Sequence, residues 1–140
     1  MQTLQQKRAQ HALKQVKSWI ALNDGSKLKA RSSELPFMVH ANGLGQAAAF
    51  FKSKGDKDGY NFVFIALERW LCESSGPFGS QQNSASANKK PVDLMQSIVD
   101  ADLHTYRMAQ AEAIHYMDWI KKFASAYLSK KPIPCSGVQS

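Results

Sequence analysis

No stretch of this chain approaches the ~18 consecutive apolar residues that a bilayer-spanning helix needs. Residues 1–10 are polar and carry Lys7 and Arg8 with no apolar run behind them, so they do not read as a secretory leader. A cytoplasmic protein without membrane contact is expected. Cysteine is scarce: Cys72 and Cys135 stand far apart, without CxxC or His-rich spacing, which argues against a structural zinc site. In a cytoplasmic setting both thiols would stay reduced.

Catalytic signatures are missing as well. There is no HExxH pattern and no GxSxG elbow, and His11, His40, His104 and His115 are dispersed. Glu112 and His115 share one helix face, but a metal needs three or four convergent ligands. The letters Gly43-Leu44-Gly45-Gln46-Ala47-Ala48 fit the dinucleotide fingerprint GxGxxA, yet a helix precedes them and no βαβ unit follows. They read instead as a glycine turn at which two helices pack closely. A triad assembled only in space leaves no mark in a sequence, but the expectation is a protein that is not an enzyme, with no metal and no cofactor.

Acid is the other thing in short supply. Eleven Asp and Glu face 18 Lys and Arg, a net charge of +7 that favours polyanionic partners such as nucleic acid. The 140 residues suit one domain, and with 44% hydrophobic residues the chain can bury roughly two-thirds of its unfolded surface in one core.

Nothing alternates with period two over a useful length, and no internal repeat is visible. Residues 3–23 lack Pro and Gly and end in Asn23-Asp24-Gly25-Ser26, which predicts a first helix with a turn after it. Ala9, Ala12, Leu13, Val16, Trp19 and Ile20 fall on its apolar face, and Lys7, His11, Lys14, Arg8 and Lys17 fall away from it. Pro36 predicts two helical pieces meeting at Leu35-Pro36, and Asn42-Gly43 a stop before a helix over 44–53.

After a polar turn at 54–59, residues 60–73 read as helix, although Phe62-Val63-Phe64-Ile65 alone also fits a strand. Residues 74–90 are rich in Ser, Asn, Gln and Gly with Phe78 the one large apolar group, which predicts a mobile loop over 75–90. A short helix over 92–99 follows, then a long one capped by Asp100 and running to about Leu128. Its apolar stripe is Tyr106, Ala113, Met117, Ile120, Ala124 and Tyr127, and residues 130–140 read as a flexible tail. The prediction is an all-α, single-domain bundle of five to six helices over residues 1–129.

Lys7, Arg8, Lys14 and Lys17 lie off the apolar stripe, and Lys27, Lys29 and Arg31 follow in what reads as a short connection. Together they form a candidate patch for phosphates, with Lys52, Lys54 and Arg107 as further candidates. The alternative is an ordinary solvated helix face.

Several strings resemble a known family: Leu35-Pro36-Phe37-Met38-Val39-His40-Ala41-Asn42-Gly43-Leu44-Gly45-Gln46, the run from Asp102 through Tyr106-Arg107, Ala111-Glu112-Ala113, and Trp119-Ile120-Lys121-Lys122-Phe123-Ala124. With Gln6-Lys7-Arg8-Ala9 and Ala66-Leu67-Glu68-Arg69-Trp70-Leu71, these resemble, in order and spacing, the small-subunit family of type III-B CRISPR (Cmr) RNA-targeting complexes. The NGLGQ string after Leu-Pro is the most specific. The resemblance implies a non-catalytic helical subunit that stacks on itself head to tail, beside the backbone subunits and with the large subunit, in a complex binding guide RNA and target RNA for antiviral defence. It also implies that RNA cleavage belongs to other subunits. A free-standing basic helical adaptor is the competing expectation, and it would bind RNA tightly alone.

Overall fold

The computed structural model describes residues 2–73, 76–79 and 92–128. Helix α1, Leu4–Trp19, begins at a reciprocal cap: Thr3 Oγ1 accepts from the Gln6 amide at 3.1 Å, and Gln6 Oε1 accepts from the Thr3 amide at 2.8 Å. A 3-10 turn over Ile20–Leu22 continues it, and Asn23, at a left-handed φ of 59°, ends it where the Asn-Asp-Gly sequence predicts. Ala12, Val16 and Trp19 are buried as expected, whereas Ile20 is exposed.

Helix α2 spans Gly25–Asn42 without interruption, which corrects the expectation of two pieces meeting at Pro36. An internal proline withholds one hydrogen bond and normally costs about 3 kcal/mol. Here Leu28, Ser32, Leu35 and Val39 are buried on both sides of Pro36, and packing of that whole stripe outweighs the local penalty. The buried Ser32 hydroxyl turns back to the Leu28 carbonyl at 2.8 Å, a bond of the kind that helps a helix bend. Lys27, Lys29 and Arg31 therefore sit on a helix, not on a connection.

Gly43, at φ 89° and ψ 160°, separates α2 from α3, Leu44–Ser53, in a conformation that a side chain resists. A 3-10 turn at Lys57–Gly59 leads into α4, Tyr60–Leu71, so the Phe62-to-Ile65 run is helical and the strand alternative falls. Gly59 is also required: a Cβ there would lie 3.1 Å from Leu28 Cδ2, with φ at 84°.

Phe78 is fully buried, and its amide donates to the Leu71 carbonyl at 3.0 Å. The polar composition of residues 74–90 understated this one anchor. Residues 75 and 80–90 of that expected loop, and the expected tail at 130–140 with Cys135, lie outside the described residues.

Helix α5, Leu94–Asp100, is capped by Asp93, which accepts from the Gln96 amide at 3.1 Å. Helix α6, Leu103–Tyr127, is capped by Asp102, which accepts from the Thr105 amide at 2.7 Å. The cap expected at Asp100 is thus two residues further on. Ala101 is extended and parts the helices, and Asp100 belongs to α5, accepting from Gln96 Nε2 at 2.9 Å.

Helix α6 is the axis of the bundle, with α1 and α2 lying along it. Arg8 meets Glu112, His11 meets Tyr116 and Lys17 approaches Tyr127, so α1 runs parallel to α6. Gly43, just past the end of α2, lies beside Tyr106 and Gln110 near the start of α6, so α2 runs antiparallel to it. The fold is all-α as expected, with no strand among the described residues. Tyr116, outside the apolar stripe that the spacing predicts for this helix, is fully buried, and Tyr127, within that stripe, is 44% exposed.

Candidate nucleic-acid interface

The cations of α1 divide by what faces them. Lys7, Lys14 and Lys17 are exposed, and among the described residues none has a carboxylate within ion-pair distance. Arg8 is different: its Nε and Nη2 donate to Glu112 Oε2 and Oε1 at 2.6 and 2.8 Å, and the two side chains are only 13% and 12% exposed. Trp70 Nε1 donates to the same Glu112 at 2.8 Å. A forked, largely enclosed pair of this kind fixes geometry. Arg8, expected on the basic face, is a packing residue.

His11, also expected on that face, lies half-buried with Nδ1 2.6 Å from the Tyr116 hydroxyl. Its ring tilts against Trp70 and Tyr116, which stack on each other at 5.3 Å and 9°. Burial, then the charges of Arg69 and Lys14, push its pKa down to about 4, so it is neutral at pH 7. Above this cluster a groove of about 230 Å³ is lined by Lys7, Gln10, His11, Lys14, Trp70 and Glu73. Arg69, absent from the sequence candidates, is exposed near it and donates to Gln15 Oε1 at 3.3 Å. Its place in the Ala66-to-Leu71 string, with Glu73 four residues on and just past the end of α4, was the sequence signal.

A second group forms where α2, α3 and α4 meet. The Arg31 guanidinium sits 4.5 Å from the Tyr60 ring centre, and its Nε is 3.0 Å from Glu34 Oε1. That is ion-pair distance without hydrogen-bond alignment, since both atoms are buried with no hydrogen-bond partner. Lys54 Nζ lies 4.9 Å from the Phe50 ring and 5.9 Å from Tyr60, and Lys52 Nζ lies 5.2 Å from Phe64. Lys27 is exposed and 3.4 Å from Asp58, while Lys29 is partly buried. Arg107 is exposed near the start of α6, far in sequence from both groups.

The expected stripe from Lys7 to Arg31 therefore resolves into an α1–α4 group and a corner around Tyr60, with Arg8 and Arg31 drawn into packing. A further groove of about 330 Å³ between α2 and α6 is lined by Phe37, His40, Ile114, His115 and Asp118 among others. Among the described residues no three metal-ligating side chains converge, and no helix is long and apolar enough to cross a membrane.

The NGLGQ string acquires a physical reading. The first amides of α3 have no partner within their own helix, and α6 supplies them: Leu44 N donates to Gln110 Oε1 at 2.9 Å and Gly45 N to the Tyr106 hydroxyl at 3.0 Å. Compared with known protein families, residues 4–127 match the family model described as CRISPR-associated protein (Cas_Cmr5).

Proposed function

This chain belongs to the CRISPR-associated Cas_Cmr5 family and so to the Cmr subunits, and on that footing we propose that it is the non-catalytic small subunit of a type III-B effector in antiviral defence. Copies stack head to tail beside the backbone subunits and line the channel in which guide RNA pairs with target RNA. Base pairing carries the sequence information, and this subunit contacts backbone and shape.

The observation that supports the RNA contact is the set Lys7, Lys14 and Lys17, exposed on one helix and unpaired among the described residues. Lys7 and Lys14 stand two turns apart, roughly 10 Å along the axis, and Lys17 extends the row by about another turn. Lys52, Lys54 and Arg107 are secondary contacts, Lys27 and Lys29 weaker ones, and Arg8 and Arg31 support the scaffold. Each copy offers few phosphate contacts, so useful affinity arises in the assembled array.

The test is target-RNA binding by the assembled effector carrying Lys14→Ala and Lys17→Ala together. Affinity should fall for all target sequences alike, and the slope of log affinity against log salt should flatten by about 0.7–0.9 per lost contact. An unchanged slope removes these two residues from the interface.

A further inference from the structure

Phe50 has no role in the core, yet its position is tightly defined. It lies near the end of α3, 37% exposed, and meets Phe51 and Tyr60 edge-on at 6.3 Å and 5.9 Å. Those two rings pack against each other at 4.9 Å and are buried, so the plane of Phe50 is held by a rigid base. The surface around it is cationic rather than apolar: Lys52, Lys54 and Lys57 are exposed, and Lys54 Nζ already sits 4.9 Å from the Phe50 ring. The two acids of the adjoining turn are engaged, Asp56 accepting from Asn61 at 3.0 Å and Asp58 pairing with Lys27 at 3.4 Å.

A fixed, half-exposed aromatic ring flanked by unpaired lysines matches the chemistry of a single-stranded nucleic acid, whose bases offer flat π-faces and whose backbone is anionic. A partner helix would need a broad apolar patch around the ring, and residues 52–57 supply none. We propose that Phe50 is a stacking platform for an unpaired base of RNA, with Lys52 and Lys54 contacting the phosphates on either side. The proposal rests on the RNA-channel reading above and adds to it a contact with a base. Lys52 and Lys54 would also complement the carbonyl end of α3 without any ligand, so the decisive residue is Phe50.

The experiment uses the assembled effector with wild-type, Phe50→Ala or Phe50→Tyr subunit, and target RNAs carrying 5-iodouridine at one position at a time. Irradiation should crosslink one register of positions to Phe50 in the wild type, and Phe50→Tyr should retain the crosslink. Phe50→Ala should lose it, with affinity lower by about tenfold and an unchanged salt slope. An abasic site at the crosslinking position should erase the difference between wild type and Phe50→Ala. Equal affinities and no crosslink, in an effector whose binding still responds to Lys14→Ala with Lys17→Ala, overturn the Phe50 proposal alone. Failure of Phe50→Ala to enter the complex, with no crosslink in Phe50→Tyr, assigns the ring to a protein contact and also overturns it. Target affinity indifferent to the subunit's presence overturns the RNA-channel reading itself.

Discussion

Around Trp70 and around Tyr60 the chain brings cations up to aromatic rings, but it closes one cluster and leaves the other open. At Trp70, Glu112 reaches in from α6 and takes both the Arg8 fork and the indole N–H, so the charge is internally neutralised. At Tyr60 no carboxylate is so placed: Glu34 meets Arg31 without hydrogen-bond alignment, and Lys52 and Lys54 rest over rings with solvent beyond. The side chain opposite decides whether a cation belongs to the scaffold or to the surface; position on the wheel does not.

The largest effect expected from breaking this contrast comes from Glu112→Ala. It leaves a largely enclosed guanidinium and a buried indole N–H without partners, and should lower stability by about 3 kcal/mol in urea denaturation. A loss below about 1 kcal/mol would mean that the Trp70 cluster is as open as the Tyr60 corner, and the distinction would collapse.

Tyr106→Phe sharpens the same point at another place on α6. Only the acceptor for the Gly45 amide is removed, while Gln110 still holds Leu44, so the expected loss is about 1 kcal/mol with the fold retained. Retention of full stability would show that solvent caps α3 equally well.

The closed cluster also gives His11 a pH response. Its folded pKa of about 4 lies below the ordinary 6.5, so as pH falls the unfolded chain takes up the proton first. Its contribution is fully present above about pH 6.5 and declines between 6.5 and 4. Denaturation midpoints of wild type and His11→Asn measured across that window should converge on the acid side. Parallel curves would place His11 in solvent, outside the closed cluster.

What was legible in the sequence follows the range of the interactions involved. The ends of α1, the Gly43 break and the helical character of residues 60–71 are written in residues a few positions apart. The uninterrupted α2 was not legible, because the stripe that carries Pro36 is recognised only against α6. The shift of the α6 cap from Asp100 to Asp102 turns on the backbone of Ala101, which composition does not encode. Residue type identified the candidate cations, but not that Arg8 is taken by Glu112, 104 residues away. Two adjacent phenylalanines on a helix do not say which of them is buried, and only the fold covers Phe51 and leaves Phe50 at the surface. The family strings carried more: NGLGQ and Tyr106 each look modest alone, and in the fold they are donor and acceptor of one junction.

The parallel pairing of the first and last helices bears on how the protein is made. Helix α1 leaves the ribosome well before α6, yet Arg8 and His11 meet Glu112 and Tyr116 only when α6, the last helix among the described residues, has emerged. Until then the faces of α1 and α2 that pack along α6 stay uncovered, and closure by α6 is a long-range step that slows folding and lengthens exposure to aggregation. Chains truncated within α6 should be cleared by proteolysis instead of accumulating as partial bundles.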